Sequence, residues 1–155
     1  MSFFLKLLDK MGRRRIIYDR EGGEPYLERY YILFKERTWF PFNVFIHKFL
    51  KSDHSDVHDH PWSYFTWIIK GGYFEWSPEP DGRILREWFG RWHWRFRKAT
   101  SKHRIELQEG ITPWTLFIAF KHKREWGFYP NGKFVLHTKY LEEKGKESVQ
   151  NTKNT

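Results

Sequence analysis

The residues of this chain whose types and spacing best suit chemistry are His58 and His60, in the segment His-Asp-His-Pro-Trp. In an extended strand, residues i and i+2 point to the same face, so both imidazoles project into one space. Two neutral imidazoles at that separation can occupy neighbouring positions around a divalent metal ion. The chain contains eight histidines, so such a pair also arises by chance. The metal interpretation therefore requires a third ligand.

His103 is the candidate for that third ligand. It begins a predicted strand after a short turn, so its side chain can face the same cavity as the His-x-His pair. His54 lies in a polar loop, where it is either an additional ligand or an exposed histidine. The chain has no cysteine, so any metal must be held by histidines and carboxylates.

The elements that must position these histidines are short β-rich runs separated by Gly and Pro turns, with no helical pattern between them. Aromatic residues make up 21% of the sequence, which favours sheets over helices. The pattern is typical of an antiparallel sandwich or barrel, and a jelly roll is the expected form. The predicted strands are Tyr26–Lys35, Phe42–Leu50, Tyr64–Lys70, Tyr73–Trp76, Ile84–Phe89, Arg91–Arg97, His103–Leu107, Trp114–Phe120, Glu125–Tyr129 and Lys133–His137.

The length of 155 residues fits one folded domain. Residues 1–20 are predicted to form an amphipathic helix followed by a basic segment, and residues 21–141 the β-barrel domain. The helix either packs on the barrel or lies on a membrane or nucleic acid. Residues 142–155 are polar and charged, and are predicted to be a disordered tail.

The histidine spacing resembles that of the cupins, whose first motif is His-x-His followed by a Glu and a Gly, and whose second motif supplies one later His. The first motif matches from His58 to Gly71, and the second matches residues 96–104. The resemblance implies an all-β fold, a cupin-type jelly-roll β-barrel with a short N-terminal helix. It also implies metal ligands at His58, His60 and His103.

The glutamate of the cupin motif would fall near Tyr64 or Phe65, and neither is a carboxylate. The resemblance therefore implies a site of three histidines. Such a site leaves positions open for water, substrate or dioxygen, and its metal keeps a full double charge. We expect a divalent transition metal, Fe(II) in the first place, with Ni, Zn, Co, Cu or Mn as alternatives. The Tyr64 hydroxyl either points into the cavity as a proton donor or belongs to the core.

The expected function is that of a metal-binding cupin enzyme, dioxygenase-like or with related metal-dependent chemistry, acting on a small anionic organic substrate.

In the strand Arg91–Arg97, alternation places three aromatic residues on one face and the basic residues on the other. Arg95 and Arg97 either grip the substrate anion or belong to an exposed polar face.

The alternative function is that of a non-catalytic cupin-fold protein that binds nucleic acid or another anion, which the net charge of +9 favours. Single-strand binding interleaves aromatic and basic side chains on one surface, whereas alternation separates them here, so nucleic acid is the less favoured partner. Resemblance to the cupins also makes a homodimer plausible.

The sequence also predicts where the protein resides. The absence of cysteine fits a reducing compartment. Charged residues interrupt the apolar residues near the start, which makes a poor secretory signal. No run approaches the roughly 20 apolar residues that a membrane-spanning helix needs. We therefore expect a cytoplasmic protein without a transmembrane segment.

Overall fold

The structure is a computed structural model that describes residues 3–19, 23–35 and 39–144. It consists mostly of short antiparallel strands with one N-terminal helix, as predicted. The elements in chain order are α1 (Phe3–Lys10), β1 (Arg14–Tyr18), β2 (Pro25–Tyr31), β3 (Phe42–Phe49), β4 (Tyr64–Lys70), β5 (Gly72–Pro78), β6 (Ile84–Gly90), β7 (Trp94–Arg97), β8 (Arg104–Glu106), β9 (Trp114–Phe120), β10 (Gly127–Phe128) and β11 (Val135–Leu136).

Two antiparallel sheets form the barrel. The larger sheet has the strand order β1-β2-β3-β9-β4-β7, and the smaller has the order β6-β5-β8. Strands that are distant in sequence pair directly, as β3 does with β9. The short strands β10 and β11 form a separate hairpin.

The main core lies between the two sheets. Both sheets contribute to one cluster of buried side chains, and burying each aliphatic or aromatic side chain stabilises the fold by about 1.5–3 kcal/mol. From the larger sheet come Leu27, Phe49 and Ile68, and from the smaller come Tyr73, Phe89 and Ile105.

Alternation along the strands determines which side chains face the interior. In β3 every second residue is buried, and the buried set includes His47. In β4 the buried set is Tyr64, Thr66 and Ile68. Polar residues thus stand among apolar ones on the inner face of these strands.

The N-terminal segment is part of the barrel. Leu5 and Leu8 of α1 pack on Tyr30 of β2. The basic segment that follows continues into β1, which pairs with β2 as an edge strand of the larger sheet. The strand β1 was not predicted, because its basic residues hide the alternation that marks a strand.

The predicted strand at Arg91–Arg97 is shorter in the structure and begins at Trp94. Trp92 has a φ of 72°, and residues 91–92 form a turn. Alternation alone cannot distinguish this turn from extended backbone, because Trp92 keeps the parity of Trp94.

Residues 137–144 are helical, so the predicted disordered tail is wrong for residues 142–144. The remainder of that predicted tail lies outside the described residues. In the described part of the chain, every helix is too short or too polar to cross a membrane.

Candidate metal centre

The segment that carries the His-x-His pair is held in an extended conformation between two neighbouring segments. The backbone N–H of His58 donates to the carbonyl of His103 at 2.8 Å, and the N–H of His103 donates to the carbonyl of His58 at 2.9 Å. The N–H of His60 donates to the carbonyl of Ala99 at 3.1 Å. This pairing fixes His103 directly opposite His58, which no spacing in the sequence predicts.

The three imidazole rings form a nearly equilateral triangle. Their ring centroids are 5.0 Å apart between His58 and His60, 5.0 Å between His58 and His103, and 5.1 Å between His60 and His103. Each ring offers one nitrogen, and these three nitrogens lie within 4.8 Å of one another.

Two donor atoms of the triad have the separation of neighbouring metal ligands. The Nε2 atoms of His60 and His103 are 2.8 Å apart. Two nitrogens bound at right angles, each about 2.1 Å from a metal, would be roughly 3 Å apart. The two atoms therefore lie close to the separation that neighbouring ligands adopt.

The electrostatic environment keeps all three rings neutral. Burial lowers the pKa of His58 to about 4 and that of His103 to about 4, while nearby Asp53 opposes the decrease. Burial and the neighbouring histidines lower the pKa of His60 well below its usual value. At neutral pH the lone pairs of the rings are available to a metal without the release of protons.

A buried carboxylate, Asp53, lies behind His58. The Nδ1 atom of His58 is 3.9 Å from an Asp53 oxygen. The Tyr26 hydroxyl and the backbone N–H of Ile105 both donate to the Asp53 carboxylate. A carboxylate that accepts the ring N–H of a histidine ligand fixes the orientation of the ring and increases its basicity. Asp53 faces His58 Nδ1 without forming that hydrogen bond.

A second buried carboxylate, Glu75, faces His103 in the same way. The Nδ1 atom of His103 lies 3.5 Å from Glu75 Oε2. Arg95 donates to Glu75 Oε1 at 2.8 Å, and Arg97 also contacts this oxygen. Two guanidinium groups therefore hold the carboxylate that faces a candidate ligand.

We expect Glu75→Gln to lower the affinity for metal about 10- to 100-fold, because the neutral amide removes the negative charge that faces His103. A competition titration against a chelator measures the change. The exposed Glu109→Gln provides the matched control and should bind metal like the parent. A folded Glu75→Gln protein with the parent affinity would contradict the supporting role of Glu75.

Asp59 points away from the triad, as strand parity predicts. It is completely buried, and its carboxylate contacts the Arg124 guanidinium. It also accepts hydrogen bonds from the backbone N–H of Gly127 at 2.9 Å and from the Tyr129 hydroxyl at 2.8 Å. This network attaches the ligand-bearing segment to the chain near β10.

An inner cavity of about 300 Å³ borders the triad. An outer pocket of about 420 Å³ lies between β1 and the helical segment 137–144. The two share several wall residues, so they adjoin each other at the metal centre. The shared wall residues are Ile17, Tyr26, Asp53, His58 and Trp126.

Tyr64 lines the inner cavity beside the triad. Its hydroxyl oxygen is 3.2 Å from His103 Nε2, and its ring stacks on Phe117 with the centroids 4.7 Å apart. Burial raises the pKa of Tyr64 well above its usual value, so the hydroxyl keeps its proton at neutral pH.

His54 is outside the triad. Its ring lies edge-on to Phe128 at 5.7 Å, and it lines the outer pocket. The grouping of potential metal ligands around His58 does not include it.

Arg95 and Arg97 are partly buried and directed at Glu75, on the face opposite the aromatic residues of β7. The aromatic face is the exposed one, since Trp94 and Phe96 are 63% and 55% accessible. Of the two alternatives for Arg95 and Arg97, a place on an exposed polar face is therefore wrong. The reason is that buried Glu75 draws both guanidinium groups inward.

Sequence reasoning missed Asp53, Glu75 and the cavity residue Arg29. Glu75 shares the parity of Tyr73 within a predicted strand, and a carboxylate on a buried face is a signal that could have identified it. Asp53 stands in a polar loop with no periodicity. Its position is fixed by the N–H of Ile105, which is distant in sequence.

No known family model matches this chain, and no curated protein matches its sequence. Solved structures do match. The structure of Fe(II)-HppE with an alternative substrate has a TM-score of 0.54 at 11% identity, covering 70% of this chain and 57% of HppE. This chain thus spans little more than half the length of HppE.

Two further solved structures cover more of the chain. A protein of unknown function with a cupin-like fold from Ralstonia eutropha JMP134 has a TM-score of 0.54 at 9% identity, covering 92% of this chain and 84% of that protein. The polyketide cyclase RemF from Streptomyces resistomycificus has a TM-score of 0.56 at 15% identity, with coverages of 84% and 91%. The chain has a cupin fold, and three of its histidines are positioned for a metal ion.

Proposed function

We propose that this protein is a metal-dependent cupin enzyme that acts on a small anionic organic substrate. The observation that carries the proposal is the convergence of three neutral imidazoles beside a cavity of about 300 Å³. Pockets for small molecules typically begin at about this volume. His58, His60 and His103 would hold the metal.

The donor set favours particular ions. All-nitrogen ligation suits Fe(II), Ni(II), Co(II), Cu(II) and Zn(II) better than Mg(II) or Ca(II). We propose Fe(II), and the similarity of the fold to that of Fe(II)-HppE supports this choice. Bound Fe(II) would supply open coordination positions for an anionic substrate and dioxygen.

The reaction we propose is dioxygenase-like, with both atoms of dioxygen incorporated into the substrate. Tyr64 is the proposed proton donor, because its protonated hydroxyl lies 3.2 Å from a candidate ligand nitrogen. A neutral hydroxyl in a largely apolar cavity can donate a hydrogen bond to developing negative charge. In this proposal Arg95 and Arg97 act through Glu75 on His103 and do not bind the substrate directly.

An oxygen-uptake assay on anaerobically Fe(II)-loaded protein tests the proposal with a panel of small carboxylic and keto acids. We expect uptake with at least one acid in the parent and none in the His58→Ala/His60→Ala variant. Tyr64→Phe should retain its metal and lower kcat about 10²-fold. If none of the acids in the panel causes the metal-loaded protein to take up oxygen, the dioxygenase assignment is contradicted.

We further propose a cytoplasmic location, because the chain has no cysteine, and a homodimer, because of the cupin fold. Light scattering on the purified protein measures the oligomeric state. A monomeric mass would contradict the homodimer without affecting the metal centre.

A further inference from the structure

The inner cavity contains a positive charge that the candidate metal centre does not use. Arg29 of β2 lines this cavity together with the three histidines. It lies two residues after Leu27, a member of the core between the sheets, so both side chains are on the inner face of β2.

The contacts of Arg29 leave its charge uncompensated. Its Nε donates to His47 Nε2 at 3.0 Å, and its guanidinium carbon lies 4.8 Å from the centre of the Phe45 ring. Tyr31 is a further hydrogen-bond partner. Across residues 3–19, 23–35 and 39–144, Arg29 forms no ion pair with a carboxylate. A partly buried guanidinium without a counter-ion is unfavourable unless an anion occupies the adjoining space.

His47 orients Arg29 but does not neutralise it. Burial lowers the pKa of His47 well below its usual value, and the charge of Arg29 lowers it further, so the ring is neutral. Because His47 Nε2 accepts the hydrogen bond from Arg29 Nε, one edge of the guanidinium is fixed. The terminal N–H groups of Arg29 that do not bond Tyr31 are the donors that remain for a ligand.

A second guanidinium adds to the positive potential. Arg15 stands directly opposite Arg29 in the β1–β2 register. Its neighbour Arg14 is paired with Glu28 and Asp9, whereas Arg15 has no carboxylate partner in the part of the chain that the structure describes. Arg15 is exposed and does not line the inner cavity. Like charges directly opposite each other nevertheless destabilise a strand pair, and an anion bound by Arg29 would reduce the repulsion.

We propose that Arg29 is an anion-binding residue that anchors the far end of a small organic dianion, whose near end is held at the candidate metal centre. The shared chemistry is a carboxylate or phosphonate oxyanion, which a guanidinium can bind through two parallel hydrogen bonds. Binding of the near end at the metal centre rests on the proposed function, whereas binding of the far end by Arg29 does not.

Binding of succinate, glutarate and 3-phosphonopropionate, measured by titration calorimetry, tests the proposal on metal-free and metal-loaded protein. The comparison proteins are Arg29→Gln, the charge-retaining Arg29→Lys, and the control Arg83→Gln on an exposed hairpin. Propionate serves as the monoanion.

We expect the parent to bind at least one dianion about ten-fold or more tightly than Arg29→Gln binds it, in both metal states. Arg29→Lys should recover part of the affinity, Arg83→Gln should match the parent, and propionate should show no dependence on Arg29 in the metal-loaded protein. Comparing the affinities for the two dicarboxylates with the affinity for the phosphonate shows which of the two oxyanions Arg29 prefers.

Equal dianion affinity in the parent and Arg29→Gln would overturn the proposal, as would a parent that binds none of the three dianions. The melting temperature of Arg29→Gln tests whether Arg29 has a structural role instead. Because the variant loses only an uncompensated cation, it should melt within about 3 °C of the parent. If the parent binds no metal but its affinity for a dianion still depends on Arg29, the metal centre is refuted and the anion-binding role of Arg29 is not.

Discussion

We expect the His58→Ala/His60→Ala variant to lose metal binding, whereas the parent purifies with, or can be loaded to, nearly one metal ion per chain. A four-ligand structural zinc site contributes roughly 10–16 kcal/mol, or about 3 kcal/mol per ligand. Loss of two ligands should therefore weaken binding about 10⁴-fold. Elemental analysis after dialysis measures the stoichiometry, and a chelator competition measures the affinity.

Two single variants are the controls for this experiment. His122→Ala removes an exposed histidine and should retain the metal. His54→Ala tests the additional ligand considered from the sequence and should also retain it, because His54 lies outside the triad. Near-UV circular dichroism establishes that the double variant is folded. A full complement of metal in the folded double variant would refute the three-histidine centre.

The second large effect is expected at Asp59. Asp59→Ala should lower the free energy of unfolding by about 3 kcal/mol, because it leaves the hydrogen-bond donors of Gly127 and Tyr129 without their acceptor and separates Arg124 from its carboxylate. Metal affinity should also decrease, since Asp59 lies between two candidate ligands and fixes their segment. Chemical denaturation of the metal-free protein and chelator competition measure the two effects.

The exposed pair of Asp81 and Arg83 provides a matched control. Their charged groups are 2.7 Å apart, but both side chains are largely exposed. Asp81→Ala should therefore leave stability unchanged within error, because water and salt screen such pairs. If the two alanine variants prove equally stable, the Asp59 network does not hold the ligand segment.

The local parts of the fold could be predicted from the sequence. The β-rich runs Phe42–Phe49 and Trp114–Phe120, bounded by turn residues, predict both strands. The strand β1 could not be predicted, since it pairs along only one edge and its side chains show little alternation of burial.

The sequence by itself determined the His-x-His pair, because strand parity places His58 and His60 on one side of an extended chain whatever surrounds them. Only the tertiary structure decided that His103 lies opposite His58. It also placed Glu75 and Asp53 behind the ligands and Arg29 at the cavity. These positions depend on pairing between segments that are distant in sequence, such as 58 with 103. The free energy of the whole fold selects such pairings, and no local pattern encodes them.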